Sequence, residues 1–111
     1  MSAQENDTTA AGSCIGVVAT DAPLSPQDLE RLARRVGLGL ARAGSVAHHG
    51  SGEIFIAFAT SDERAIRGRE IDGLFQATVD ASEEAVLDSL WAAVDTSGRE
   101  GRTVYAFRRG V

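Results

Sequence analysis

Hydrophobic positions divide this chain into two kinds of segment. Two short runs, Cys14 to Thr20 and Ile54 to Ala59, are almost continuously apolar and are bounded by glycine or polar residues. At this length they fit β-strands that are buried on both faces better than helices. Between them, five apolar residues recur at helical spacing: Leu29, Leu32, Ala33, Val36 and Leu40. The order strand, helix, strand predicts an α/β chain.

The first helix has recognisable ends in the sequence. Ser25 is a suitable N-cap, and Pro26 suits the first turn because its missing N–H would be unpaired there in any residue. Gly44 predicts the end of the helix. Gly37 and Gly39 weaken a helix intrinsically, so we expect them to allow close packing against another backbone.

The second half of the chain is less regular. Residues 61–69 are charged and predict a loop or a short helical turn. Apolar residues between Leu74 and Val94 predict helix, with Ser82 to Glu84 as a possible interior start. Two glycines, Gly98 and Gly101, follow the helix, and Thr103 to Phe107 predicts a short final strand.

The number of helices limits how the strands can be covered. Two strands that are apolar on both sides need cover on both sides, but two helices supply only one layer. The uncovered face would expose several hundred square ångströms of apolar surface, more than monomers usually show. We therefore expect this face to meet another copy or a second chain.

Composition narrows the class of protein. The 111 residues fit one domain, and the net charge of -5 argues against a nucleic-acid partner. Four arginines, at positions 31, 34, 35 and 42, are best explained as a solvated helix face. One cysteine and two histidines predict neither a disulfide framework nor a metal or cofactor site. The sequence shows no membrane segment and no signal peptide, which predicts a cytoplasmic protein.

The candidate chemistry lies where the two apolar strands begin. Ser13 follows Gly12 at the head of the first strand, and glycine permits a tightly bent backbone there. The loop AHHGSGEIF presents Ser51 and Glu53 just before the second strand. If the strands pair, their beginnings bring the two serines and the carboxylate together. A lone serine before a strand is usually only a turn or capping residue. The prediction of a functional site therefore depends on Ser13, Ser51 and Glu53 lying together.

Neighbouring reactive side chains have simpler explanations. Cys14 is one residue further along a strand than Ser13 and should therefore point to the opposite face, as a small core residue. His48 and His49 precede Ser51 and could act as a base or contact a substrate, but we interpret them as ordinary loop residues.

Three segments give the chain a family resemblance. GSCIGVVATDAPL, GSGEIFIAF and IDGLFQATVDASEEAVLDSLWAAV resemble the small C-terminal subunit of the DmpA-type aminopeptidases, the self-processing L-aminopeptidase/D-esterase and β-peptidyl aminopeptidase enzymes. The resemblance runs from Gly12 to Phe107. It implies a four-layer αββα sandwich, of which this chain would supply the C-terminal portion, with helices on one face of a buried sheet.

The resemblance also implies site residues and partners. Self-cleavage between Gly12 and Ser13 would divide residues 1–12, a flexible segment, from the peptidase-like domain at residues 13–111. Ser13 would become the N-terminal nucleophile, with Ser51 and Glu53 assisting it. The substrates would be small peptides, amides or esters. An α-subunit, absent from these 111 residues, supplies the oxyanion donors in the family, so we expect such a partner chain or a homo-oligomer.

Two other functions are compatible with the sequence. The chain could be an inactive remnant that serves as a self-associating or binding module. It could also be an acetyl-transferring relative, although such enzymes usually carry a threonine nucleophile and fit the GSGE loop less well.

Overall fold

The computed structural model describes residues 12–61, 66 and 68–107. Strand β1 (Ser13–Thr20) leads into helix α1 (Pro26–Arg42), and strand β2 (Gly52–Ala59) follows. A 3₁₀ turn (Gly68–Ile71) then runs directly into helix α2 (Asp72–Ala92). The described chain ends in a small hairpin of β3 (Thr96–Ser97) and β4 (Thr103–Val104), with a 3₁₀ turn at Arg99–Gly101 between its strands. The chain is therefore α/β, as the sequence predicts.

Strands β1 and β2 form a parallel two-stranded sheet. The register pairs Ser13 with Gly52 at one end and Thr20 with Ala59 at the other. Parallel strands begin at the same edge, and the connection through α1 is the crossover that such a pair requires. The pairing therefore brings the heads of the two apolar runs to one edge of the sheet.

The ends of α1 lie where the sequence predicts. The Oγ of Ser25 accepts a hydrogen bond from the backbone N–H of Asp28 at 3.2 Å, and Pro26 is the first helical residue. After Arg42 the chain leaves the helix, and Gly44 takes a left-handed backbone with φ of 110°. That conformation carries no steric penalty in glycine.

The core lies between the helices and one face of the sheet. Leu32 of α1, only 1% exposed, packs with Leu24 and Ile71, and Val18 and Ala57 of the strands border this cluster. These strand residues come from the second halves of β1 and β2. The core therefore anchors the carboxyl ends of the strands and leaves their beginnings at the margin of the fold.

The opposite face of the sheet is open, which corrects the prediction of strands buried on both faces. Exposure alternates along both strands. The exposed set is apolar, and its larger members are between 47% and 69% exposed: Ile15, Val17, Ile54, Ile56 and Phe58. The physical reason is that α1 and α2 both lie on the same side, so the described part of the chain has nothing to cover the other side.

The helices touch closely at one glycine. A Cβ built on Gly39 would lie 2.5 Å from the Cβ of Ser82 and 2.6 Å from the carbonyl oxygen of Val79. Only glycine permits this approach, which confirms the predicted close packing at Gly39. A Cβ added at Gly37 would lie 3.4 Å from its nearest neighbour, a ring carbon of Phe55, which is an ordinary contact.

Two expectations for the second half need correction. Helix α2 is continuous, so Ser82 to Glu84 lies inside it and does not start a new helix. The final strand is only Thr103–Val104, shorter than predicted, because it pairs with just two residues of β3. The stretch 61–69, predicted to be a loop or a short helical turn, is described only in part, and the 3₁₀ turn at Gly68–Ile71 begins at its end. No helix among the described residues is long and apolar enough to span a membrane.

Candidate active site

The site occupies the edge at which β1 and β2 begin. Ser13 is the first residue of β1, and its register partner is Gly52. The Oγ of Ser13 accepts a hydrogen bond from the backbone N–H of Gly52 at 3.2 Å. Gly52 lies between Ser51 and Glu53 in sequence, so the parallel pairing alone brings the candidate nucleophile beside the GSGE segment.

A second hydrogen bond orders the GSGE segment itself. The Oγ of Ser51 donates to Oε1 of Glu53 at 2.7 Å, and both side chains are partly buried. The backbone N–H of Ser51 donates to the carbonyl oxygen of His48 at 2.8 Å, which closes the preceding loop. Ala47 in that loop has a left-handed φ of 49°, so the loop turns sharply just before the site.

The side chains are divided between the two faces of the sheet. Ser13 is exposed and, because faces alternate along β1, lies on the open face of the sheet. Glu53 is half-buried on the helix side, in register with Cys14. A hollow of about 350 Å³ lies on the helix side beside Glu53, bounded by Leu40, Val46 and Phe55. The site therefore spans the sheet edge, with the hydroxyl of Ser13 toward the open face and the carboxylate behind the edge.

This arrangement can support nucleophilic chemistry at Ser13. The N–H of Gly52 points at Oγ and can stabilise negative charge that develops on it. The bond from Ser51 to Glu53 holds the Ser51 proton toward the carboxylate, which leaves the lone pairs of the Ser51 oxygen available to accept a hydrogen bond. Activation of a serine hydroxyl also requires a base that takes its proton.

The remaining candidate residues lie as follows. Gly12 is exposed, and a Cβ there would meet nothing within 4 Å. Cys14 lies on the helix side, opposite in direction to Ser13, as predicted. His48 and His49 are exposed loop residues. Of the flexible segment predicted at residues 1–12, only Gly12 is among the described residues.

One participant was not predicted from the sequence. The backbone N–H of Gly52 is the group that contacts Ser13, and its role depends on the register of β1 against β2. A one-residue slip would place a different amide there and would reverse the face of every side chain. The only sequence signal was the glycine between Ser51 and Glu53, which alone does not specify a donor.

A parallel strand pair that carries a serine and an ordered carboxylate at its leading edge is an arrangement that a serine hydrolase can use. Comparison with known proteins shows the family. The sequence profile of Peptidase family S58 matches residues 1–104, and the chain belongs to this family.

The curated relatives that match are named as β-peptidyl aminopeptidases and are much longer than this chain. The β-peptidyl aminopeptidase BapA of Sphingosinicella microcystinivorans is 38% identical over 105 residues, which cover 84% of this chain and 26% of BapA. Among solved structures, the PH0078 protein of Pyrococcus horikoshii OT3 superposes with a TM-score of 0.75 at 38% identity, over 85% of this chain and 30% of that one. The chain thus spans about a quarter of the length of the curated relative that it matches.

A further structural match bears on the fold. The L-aminopeptidase D-Ala-esterase/amidase of Ochrobactrum anthropi, described as a prototype of the serine aminopeptidases with a new variant of the Ntn hydrolase fold, superposes with a TM-score of 0.73 at 37% identity. The match covers 81% of this chain and 29% of that protein. The family resemblance is thereby confirmed. The structural neighbours do not favour the alternative of an inactive binding module.

Proposed function

We propose that this chain is the nucleophile-bearing part of a self-processing serine aminopeptidase and that it works with an α-type chain. The observation that carries the proposal is the contact of the Ser13 Oγ with the N–H of Gly52, beside the hydrogen-bonded pair of Ser51 and Glu53. The membership of the chain in a peptidase family supports the same interpretation.

Self-cleavage would come first. The Oγ of Ser13 attacks the carbonyl carbon of Gly12, the bond from that carbon to the Ser13 nitrogen breaks, and an ester to Oγ forms. The nitrogen takes up the hydroxyl proton and leaves as an amine. Water then hydrolyses the ester, which restores the Ser13 hydroxyl and leaves Gly12 with a free carboxylate. Gly12 is exposed and carries no side chain that would crowd the approach to this carbonyl.

The freed amine then serves as the base for catalysis. An α-amino group has a pKa of about 8, so near neutral pH an appreciable fraction is deprotonated and can accept the Ser13 hydroxyl proton. Oγ attacks the carbonyl carbon next to the substrate's free amino group, and the remainder of the substrate departs with that proton. Water hydrolyses the resulting aminoacyl ester. Substrates would be small peptides, amides or esters with a free N-terminus.

Ser51 and Glu53 would manage the proton at the amine. The Ser51 oxygen is free to accept a hydrogen bond from the Ser13 ammonium because its own proton is held by Glu53. The negative charge of Glu53 would favour the ammonium that forms as Oγ loses its proton. Both residues would thereby stabilise the ammonium and deprotonated Oγ of Ser13 before Oγ bonds to the substrate carbonyl carbon. General acid–base assistance of this kind contributes typically about 10²–10⁴-fold in rate.

The α-type chain would cover the open sheet face. The exposed apolar side chains of β1 and β2 form a continuous surface on the same side as Ser13. A second sheet packed there would complete the four-layer sandwich expected for the family and would enclose the nucleophile. It would also contribute oxyanion donors, each typically worth about 10²–10³-fold in rate.

Hydrolysis after co-expression tests the proposal. The chain is co-expressed with the part of BapA that precedes the matched region, and release of 4-nitroaniline from aminoacyl-4-nitroanilides is measured. Ser13→Ala should abolish hydrolysis, whereas Ser97→Ala, an exposed serine on the terminal hairpin, should leave it unchanged. Hydrolysis that survives Ser13→Ala contradicts the proposal. Assembly without any hydrolysis would favour an inactive remnant.

A further inference from the structure

A glycine and an aromatic ring face each other just behind the candidate site. Gly16 of β1 and Phe55 of β2 are register partners on the helix side of the sheet, two residues further along the strands than Cys14 and Glu53. A Cβ built on Gly16 would lie 3.1 Å from Cδ1 of Phe55 and 2.7 Å from Cγ1 of Val36. The ring of Phe55 therefore reaches from β2 across β1 and lies in the space that a side chain at position 16 would need.

The other edge of the same ring meets helix α1. Cε2 of Phe55 would lie 3.4 Å from a Cβ built on Gly37, which is an ordinary contact distance. The ring thus fills the space between both strands and the helix at one level of the sheet. It also forms part of the wall of the hollow beside Glu53. An aromatic ring packed over a strand glycine is a device that fixes the alignment of two strands.

The side chains of β1 make this packing specific to one register. The helix-side positions of β1 are Cys14, Gly16, Val18 and Thr20, and among these only Gly16 lacks a side chain. A slip of one residue would exchange the two faces of a strand. A slip of two residues keeps the faces but sets the Phe55 ring against Cys14 or Val18, where a side chain already occupies the space. Alternation of burial does not exclude the two-residue slip, whereas the fit of the ring over the glycine does.

We propose that Phe55, seated over Gly16, sets the register of β2 against β1 and is thereby a positioning residue for the nucleophile. The Oγ of Ser13 accepts a hydrogen bond from the N–H of Gly52 in this register. A two-residue slip would move Gly52 by about 6.6 Å along β1, beyond hydrogen-bond distance, and would carry Glu53 away with it. Phe55 acts on the site only through the strand that it holds. The catalytic part of this inference rests on the proposed function, whereas the register does not.

NMR of the full chain tests the register directly. Nuclear Overhauser effects between backbone protons of β1 and β2 identify the register, and relaxation dispersion at the amides of Gly52 and Glu53 detects exchange between registers on the μs–ms timescale. Phe55→Ala removes the ring, and Gly16→Ala fills the space beneath it. Leu24→Ala is the matched control, because it also removes apolar volume on the helix side but from the core cluster at the carboxyl ends of the strands.

The variants should differ in how much of the chain leaves the native register. Slipped registers should gain population by about tenfold or more in Phe55→Ala and in Gly16→Ala, and Leu24→Ala should behave as the wild type. A Phe55→Ala chain that keeps the native register without added exchange overturns the proposal, because the connections to α1 would then fix the register alone. Gly16→Ala, which retains the ring, decides in the same way where Phe55→Ala does not fold. Equal exchange in the control also overturns the proposal, since the loosening would then be general.

Hydrolysis connects the register with the reaction. After co-expression with the part of BapA that precedes the matched region, Phe55→Ala should lower kcat for aminoacyl-4-nitroanilides by about tenfold or more and leave KM within about twofold, because the misplaced groups contact the nucleophile. Leu24→Ala should change neither constant. Register exchange with an unchanged kcat overturns the positioning role. If the wild-type complex hydrolyses no such substrate, the proposed function fails, and the NMR result decides the role of Phe55 in the register by itself.

Discussion

The hydroxyl of Ser51 donates a 2.7 Å hydrogen bond to Oε1 of Glu53, two residues further along the chain. Gly52, the residue between them, donates its backbone N–H to the Oγ of Ser13. The tripeptide at the start of β2 thus places the hydrogen-bonded pair of Ser51 and Glu53 on either side of the amide that contacts the beginning of β1. The arrangement depends only on the parallel register of the two strands, so it exists before any partner binds.

Removal of the Ser51 hydroxyl should impair catalysis more than folding. Ser51→Ala deletes the hydrogen bond to Glu53 and the oxygen that would accept from the Ser13 amine, so kcat should fall by about 10²-fold or more in the assembled enzyme. Because the site lies at the margin of the fold, urea denaturation should be nearly unchanged. Ser97→Ala is the matched control. A kcat within about twofold of the wild type would show that Ser51 has no part in the reaction.

A charge on the open sheet face should prevent assembly. Ile56 is 51% exposed on this face, and Leu38 is 57% exposed on α1. Ile56→Lys would bury an unpaired ammonium beneath a partner sheet, which costs several kcal/mol and should weaken association with the α-type chain by about a hundredfold or more. Leu38→Lys changes an equally exposed leucine and should have no such effect. Analytical ultracentrifugation of co-purified chains measures both. Equal association of the two variants would exclude this face as the interface.

The contact at Gly39 should be intolerant of any side chain. Gly39→Ala places a methyl group 2.5 Å from the Cβ of Ser82 and 2.6 Å from a backbone oxygen, so α1 and α2 must separate. Overpacking of this kind costs typically about 1–3 kcal/mol. Gly37→Ala meets only an ordinary contact and should gain up to about 1 kcal/mol from helix propensity. Urea denaturation of the two variants should therefore give shifts of opposite sign. Equal midpoints would contradict the close helix crossing.

Arg42 joins the helices through two carboxylates. It lies 2.7 Å from Asp80 and 2.8 Å from Glu83, both on α2. The hydrogen bond from Arg42, with a second from Gln76, lowers the pKa of Asp80 below its usual value. A carboxyl whose pKa is lower in the folded state stabilises the fold above its unfolded pKa, and this contribution is lost as the pH falls through the folded pKa.

Arg42→Gln should therefore raise the pKa of Asp80 toward the ordinary value. The side-chain carboxyl shifts of Asp80, followed by NMR between about pH 2 and 6, measure the change around the ordinary aspartate value of about 3.9. Arg34→Gln removes an arginine whose partner is Glu30 within α1, and it should leave the titration of Asp80 unchanged. An Asp80 titration that does not respond to Arg42→Gln would contradict the ion pair between the helices.

Local signals made part of the fold predictable. Ser25, Pro26 and Gly44 mark the ends of α1 through rules that act within a single turn, and the structure follows them. The apolar runs also located both strands of the sheet. The prediction that they are buried on both faces was wrong for the described residues, because both long helices lie on one side of the sheet and exposure alternates along the strands. Continuous apolarity does not report whether the contacting layer belongs to the same chain.

Most of what the sequence did not predict depends on contacts between residues that lie far apart in the chain. The Gly52 amide contacts Ser13 because of the strand register, which no local sequence pattern encodes. The contact was therefore not predicted from the sequence. The start of a new helix at Ser82 was also wrong. A serine followed by two glutamates can begin a helix, but here the chain is already helical from Asp72 onward, so this segment lies inside α2. The positions of Ser51 and Glu53 beside Ser13 could be predicted, since only the pairing of the strands was needed. Their catalytic roles stay a prediction.

Intact mass spectrometry of the chain gives the most direct test of the central claim, that Ser13 becomes an N-terminal nucleophile. The chain is measured alone and after co-expression with the part of BapA that precedes the matched region, with Ser13→Ala in parallel. We expect the co-expressed sample to contain a species that begins at Ser13 and lacks residues 1–12, and we expect the Ser13→Ala chain to remain whole. A chain that stays uncut in the assembled complex, or a Ser13→Ala chain that is cut at the same bond, would contradict the account.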